Sequence, residues 1–177
     1  KAARVGVSAD GTKASQMLKS SLVAGLMSSG VEVYEFGQLT LPATRYALKF
    51  FNLGGGIHIS TTTVNNDIKL VINILDEKGI NINRDTERKL ENLFIREDFI
   101  RSEVNQIYSI RYIHNFKDYY LRHILNKVKN NNMGFKILVS TASELLQSML
   151  AEVINEINCK LDTVDWKIKD IFTGRIT

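Results

Sequence analysis

Four consecutive hydroxyl residues, Ser60-Thr61-Thr62-Thr63, are the most unusual local feature of this 177-residue sequence. They follow Ile57-His58-Ile59, which reads as a strand, and so fall at a strand end, where α/β sheets gather their ligands. A hydroxyl cluster there could accept or bind phosphate. The bland alternative is a polar loop whose side chains cap their own backbone. Other candidates carry less. Gly54-Gly55-Gly56 precedes its strand instead of leading a strand into a helix, so it lacks the geometry of a phosphate loop and reads as a flexible lead-in. His58, His114 and His123 lie far apart, with no Cys or acid beside them at zinc-ligand spacing. His58, inside a strand, reads as packing or facing water. Cys159, the single cysteine, sits in no motif and reads as a small buried residue.

The elements that must position these residues alternate short β-branched runs with longer helical periods, which is the signature of α/β layering. Arg4 to Ser8 reads as a first strand, and Asp10-Gly11-Thr12 as a turn. Leu18, Leu22 and Leu26 recur at helical spacing in a helix over 14–29, and Gly30 stands where a C-cap tolerates positive φ. Val31 to Phe36 is a second strand. Pro42 fits the first turn of a helix reaching about Phe51. Strands over 57–60 and 68–75 follow, then a hairpin-like turn at Asp76-Glu77-Lys78-Gly79. Asn83 is the expected N-cap of a helix over 84–96 whose charged face surrounds Leu90, Leu93 and Phe94. A helix over 112–130, a break at 130–134, a strand over 135–140, a helix over 143–158 and a strand over 160–163 complete the pattern.

Composition narrows the class. The chain is 44% hydrophobic and 24% charged, which excludes disorder and collagen-like repeats. One cysteine cannot form an internal disulfide, so a reducing, cytoplasmic setting is expected. No apolar run reaches the roughly 18 residues of a membrane helix, so no membrane partner is expected. A net charge of +4, scattered and without aromatic stacking surfaces, argues against nucleic acid. The chain starts at Lys1 without a methionine and reads as a piece of a longer polypeptide.

Taken in order, the motifs resemble the α-D-phosphohexomutases, the phosphomannomutase and phosphoglucomutase superfamily. The family's first domain reads G-R-D-x-R-x-S-S, a helix, G-x-x-V-x-D-x-G, T-P, G-G-x-x-I-T-A-S-H-N-P and N-G-I-K. This sequence offers Asp10-Gly11-Thr12-Lys13-Ala14-Ser15, then Gly30-Val31-Glu32-Val33 through Gly37, then Leu41-Pro42. It continues with Gly55-Gly56-Ile57-His58-Ile59-Ser60-Thr61-Thr62-Thr63 and Asn66-Asp67-Ile68-Lys69. The resemblance covers residues 5–70 well and 135–162 more loosely. It implies a three-layer α/β/α mixed sheet of domain I type over 1–111, its fourth strand antiparallel, and the start of a similar second domain over 112–177. The stretch from Gly79 to Phe99 looks like the divergent mutase-like region that follows a nucleotidyltransferase domain in mannose-1-phosphate guanylyltransferase-like proteins. A covalently linked nucleotidyltransferase upstream is therefore an expected partner.

By the same resemblance Thr62 stands where active members carry the phosphoserine that also ligates Mg²⁺. Thr63 stands at the histidine and Val64 at the asparagine of that motif. Thr12 replaces an arginine, Asp67 replaces a glycine, and the stretch to Asn66 is about three residues short. Asp10 and Lys69 remain. With Thr63 they form the expected hexose-phosphate contacts, and Thr62 is the degenerate catalytic position. The family's D-G-D-x-D-R metal loop does not occur in these 177 residues, so no cofactor is expected in this chain. The expected function is a non-catalytic mutase-like domain of sugar-nucleotide synthesis with residual affinity for a hexose phosphate. Two alternatives stand beside it: a fragment of a working mutase using Thr62 as phosphoacceptor, and an α/β interaction module without ligand.

Overall fold

A computed structural model describes residues 2–65, 67–128, 135–139, 141, 143–157 and 159–163. The chain divides into two compact units, residues 1–117 and 118–177.

The first unit holds a five-stranded mixed sheet. Its strands are β1 (Arg4–Ala9), β2 (Glu32–Gln38), β3 (Gly55–Val64), β4 (Asp67–Asp76) and β5 (Arg111–Tyr112), in the order β4-β3-β1-β2-β5. β1 runs parallel to both β2 and β3, and β5 is parallel to β2. Only β4 is antiparallel, laid along β3 without interruption. Helix α1 (Lys13–Ser28) covers one face and α2 (Leu41–Phe50) the other. Side-chain alternation sorts the layers. Val5 and Val7 of β1 and Val33 of β2 meet Val23 and Leu22 of α1. Gly6 and Gly56 lie against Leu48 of α2.

Local chemistry sets the helix ends. Thr12 caps α1 by accepting from the Ser15 amide. Gly30, at φ +73°, turns the chain after that helix, as its place in the sequence predicts. Pro42 stands in the first turn of α2, and Asn83 caps α3 (Arg84–Ile95) by accepting from the Thr86 amide.

Three expectations need correction. The hydroxyl run is not a loop beyond a short strand: β3 continues through Val64, and Val64 pairs with Asp67. Gly55 and Gly56 are not a flexible lead-in. They are strand residues, and a Cβ on Gly56 would lie 2.5 Å from Leu48 Cδ2. The sheet also has five strands instead of four. Tyr112 belongs to β5, and Ile113 N donates to Glu35 O at 2.8 Å, so α4 (Phe116–Val128) starts only after Asn115 turns the chain at φ +61°.

In the second unit, β6 (Lys136–Val139), α5 (Glu144–Glu156) and β7 (Lys160–Thr163) form a βαβ motif, with β6 parallel to β7. Ser143 caps α5, and Cys159 is buried. The expected break at 130–134 and the strand end at Ser140 lie outside the described residues.

Candidate functional site

The carboxyl ends of β1 and β3 meet at Asp10. Its Oδ2 accepts from Thr61 N at 2.6 Å and Thr61 Oγ1 at 3.0 Å. Its Oδ1 accepts from Thr12 N at 3.0 Å, Thr12 Oγ1 at 2.8 Å and the Ser15 hydroxyl. The main-chain N–H of Asp10 still donates to Ile59 O at 2.9 Å, so the carboxylate takes over the β3 edge where β1 stops. Partial burial pushes this carboxyl's pKa up, but hydrogen bonds from Ser15, Thr61 and Thr12 outweigh it and hold the pKa at about 2. Asp10 thus joins β1, the start of α1 and β3.

One layer below, on the α2 face, lies a buried polar chain. Ser8 Oγ is 2.8 Å from Thr44 Oγ1 and 2.9 Å from His58 Nδ1, and Thr44 Oγ1 donates to Thr40 O at 3.0 Å. Directed from His58 through Ser8 to Thr44, each hydroxyl donates once and accepts once, so no buried proton is left over. Burial lowers the His58 pKa, and the charge of Asp10 opposes that shift. The sequence reading left His58 open between packing and water. At 3% exposed it is packed.

The β3–β4 ladder decides where the expected phosphate contacts point. Thr62 lies opposite Lys69, Thr61 opposite Leu70 and Thr63 opposite Ile68. Opposed residues share a face. Thr62 and Lys69 therefore project together on the face that Gly56 and His58 present to α2. Thr61 and Thr63 project on the other face, where Thr61 meets Asp10. The structure brings Thr62 to Lys69 on one face and Asp10 to Thr61 on the other, while Thr63 stands opposite Ile68. Thr62, Thr63 and Lys69 are all exposed. Two positions join β3 to β4, and Asn65 among them has φ +52°, a left-handed conformation that asparagine tolerates.

Ser8 and Thr44 were not singled out by sequence, and Thr61 and Ser15 stood there only as members of the hydroxyl run and of the first motif, without their contacts to Asp10. Ser8 and His58 are register partners on the parallel strands β1 and β3, a pairing that no local sequence pattern states. For Mg²⁺, the described residues contain no group of three His, Cys, Asp or Glu side chains that could hold a metal ion. The acid nearest the hydroxyl run, Asp10, already accepts from five protein donors. The donor set in the described residues does not fit the ion.

A mixed sheet with one antiparallel edge strand and helices on both faces is the three-layer arrangement that the resemblance to phosphohexomutase domain I implies. The comparisons agree. The pattern of the family described as "Phosphoglucomutase/phosphomannomutase, alpha/beta/alpha domain I" matches residues 1–101, and the chain belongs to that family. It is 30% identical to a phosphoglucosamine/phosphogalactosamine mutase of Sulfurisphaera tokodaii over 90% of this chain and 36% of that protein. It is also 30% identical to a phosphoglucomutase/phosphomannomutase of Thermococcus kodakarensis, over 85% of this chain and 33% of that protein. The chain thus spans about a third of the length of these relatives. A solved structure of a phosphoglucomutase/phosphomannomutase family protein from Burkholderia thailandensis shares the fold, with a TM-score of 0.75 at 19% identity, covering 92% of this chain and 35% of that one. Among the described residues, no helix is long and apolar enough to cross a membrane.

Proposed function

We propose that this chain is a non-catalytic member of the mutase family that retains weak affinity for a hexose or hexosamine phosphate. The observation that carries this reading is the unbroken β3–β4 ladder from Gly55–Asp76 to Val64–Asp67. A phosphoacceptor must present its oxygen for in-line attack, with a divalent cation and positive charge around the transferred group. Thr62 is instead a ladder residue whose β-branched side chain has restricted χ1. Lys69 is the charge directly opposite it, and its ammonium supports binding of a phosphate without supplying what transfer requires. Relatives named for glucosamine, galactosamine, glucose and mannose phosphates suggest the ligand class. The likeness of the stretch from Gly79 to Phe99 to nucleotidyltransferase-linked proteins supports a place in sugar-nucleotide synthesis beside such a domain.

The test is a titration of the full chain with glucose 1-phosphate and glucosamine 6-phosphate, followed by amide NMR. Shifts are expected at Thr62 and Lys69, and their absence at saturating sugar phosphate would favour an interaction module without ligand.

A further inference from the structure

The outer edge of β4 is open over the stretch from Asp67 to Asn73. Beyond it the edge is closed by the chain itself. Ile82 N donates to Ile74 O at 3.1 Å, Asp76 N donates to Ile80 O at 2.8 Å, and Leu75 bridges Asn81. Those bonds show that the even-numbered residues of β4 aim their N–H and C=O groups outward. Ile68, Leu70 and Ile72 thus present donors and acceptors that find no backbone partner among the described residues. Their side chains line one face and are 77%, 41% and 48% exposed. An exposed apolar edge of this kind templates the addition of another strand.

We propose that this edge pairs with itself, joining two copies of the chain through antiparallel β4 strands about a two-fold axis at Leu70. The open stretch is centred on Leu70, so this register covers it fully. Ile68 then faces Ile72 of the second copy and Leu70 faces its own counterpart. Each outward N–H meets an outward C=O, because hydrogen-bonded antiparallel pairs exchange both bonds. The side chains that the open stretch of β4 carries on that face are apolar, so self-pairing brings all three together across the seam without stranding a polar group. The closed edge at 80–82 acts as the stop that sets the register: pairing centred beyond Leu70 toward Asp76 would run the second copy's hairpin into it. Lys69 projects on the opposite face, diagonal to Lys69 of the second copy. Two ammonium groups at that spacing repel, so added salt should strengthen the dimer. The inference rests on the edge geometry and not on the ligand reading.

Sedimentation of the full chain should show a reversible dimer that tightens with ionic strength. Leu70→Lys removes two apolar side chains from the dyad and opposes two charges there, so dimer dissociation should rise by about 100-fold or more. Cysteine placement reads the register independently of that variant. In a Cys159→Ala background, Leu70→Cys should oxidise to a disulfide dimer, because hydrogen-bonded partners sit about 5.5 Å apart between Cα atoms, inside the disulfide range. Ile68→Cys alone should not cross-link, its counterpart lying about 13 Å along the strand, whereas mixing Ile68→Cys with Ile72→Cys should. A chain that stays monomeric at all concentrations overturns the proposal. So does cross-linking that is equal at all three positions, or a dimer untouched by a folded Leu70→Lys variant.

Discussion

Thr62 stands directly opposite Lys69 in the β3–β4 ladder, so the hydroxyl proposed at the phosphoacceptor position and the lysine proposed as its phosphate contact share one exposed face. Neighbouring Thr61 turns to the other face and is held there by Asp10. Of the expected site residues, Thr62 and Lys69 are therefore cross-strand partners, whereas Asp10 is hydrogen-bonded to Thr61, Thr12 and Ser15. Binding through Lys69 and ordering through Asp10 become separable properties.

Lys69→Ala should abolish sugar-phosphate binding, since the ammonium opposite Thr62 is the charge the reading relies on. Starting affinity is expected in the millimolar range, about −4 kcal/mol. Thr62→Ala removes only a neutral hydrogen bond and should weaken binding by a few-fold, about 1 kcal/mol. Amide shifts on titration with glucose 1-phosphate measure both. Equal affinity in Lys69→Ala would remove this face from consideration.

Asp10→Asn should lower stability without touching that face. The carboxylate is only partly buried, so solvent screening puts the cost at the low end, about 1 kcal/mol, despite its five donors. The sign follows from the depressed pKa. The unfolded carboxyl titrates near 3.8 and the folded one at about 2, so the contribution is complete above roughly pH 4 and disappears as pH falls toward 2. Urea midpoints of the two proteins should converge across that window, and a constant gap down to pH 2 would contradict the assignment.

His58 titrates with the opposite consequence from a paired histidine. Burial lowers its pKa, so the unfolded chain takes up a proton near pH 6.5 that the fold resists. Its contribution is intact above 6.5 and declines as pH falls below it. His58→Gln should flatten the stability profile just below pH 6.5. An unchanged slope in urea melts would mean that His58 is not held neutral in the core.

Gly56→Ala tests the packing under the ladder. The new methyl would stand 2.5 Å from Leu48 Cδ2 and 3.0 Å from Gly6 O, and backbone cannot yield as a side-chain tip can. A loss of about 1–3 kcal/mol is expected in chemical denaturation. A neutral result would mean that α2 can back away from β3.

Much of the fold was legible because periodicity and caps are local. Val5 and Val7 of β1 and Val33 of β2 point into one core as strand periodicity requires, Gly30 turns the chain after α1, and Asn83 caps α3. The hairpin was harder. Four hydroxyls carry no apolar alternation, so Ser60–Thr63 reads as a loop, although the three β-branched threonines suit a strand and the shortened link to Asp67 leaves little chain for anything else. Tyr112 was misread for a related reason. Two residues of edge strand carry too short a pattern to register against the helix that follows. The Asp10 and His58 networks depend on which strands become neighbours, which no local pattern states. Only the register, Ser8 with His58 and Ala9 with Ile59, brings them together.

The most direct test of the central claim is phosphoryl transfer itself. The full-length protein is incubated with a hexose 1,6-bisphosphate and Mg²⁺, Thr62 is examined for phosphate by peptide mass spectrometry, and interconversion of hexose 1- and 6-phosphates is followed in parallel. The account predicts no phosphothreonine at position 62 and no turnover, because the acceptor position is a ladder residue of a closed hairpin. Mg²⁺-dependent turnover in the unmodified protein, lost in Thr62→Ala, would contradict it and make this threonine a working phosphoacceptor.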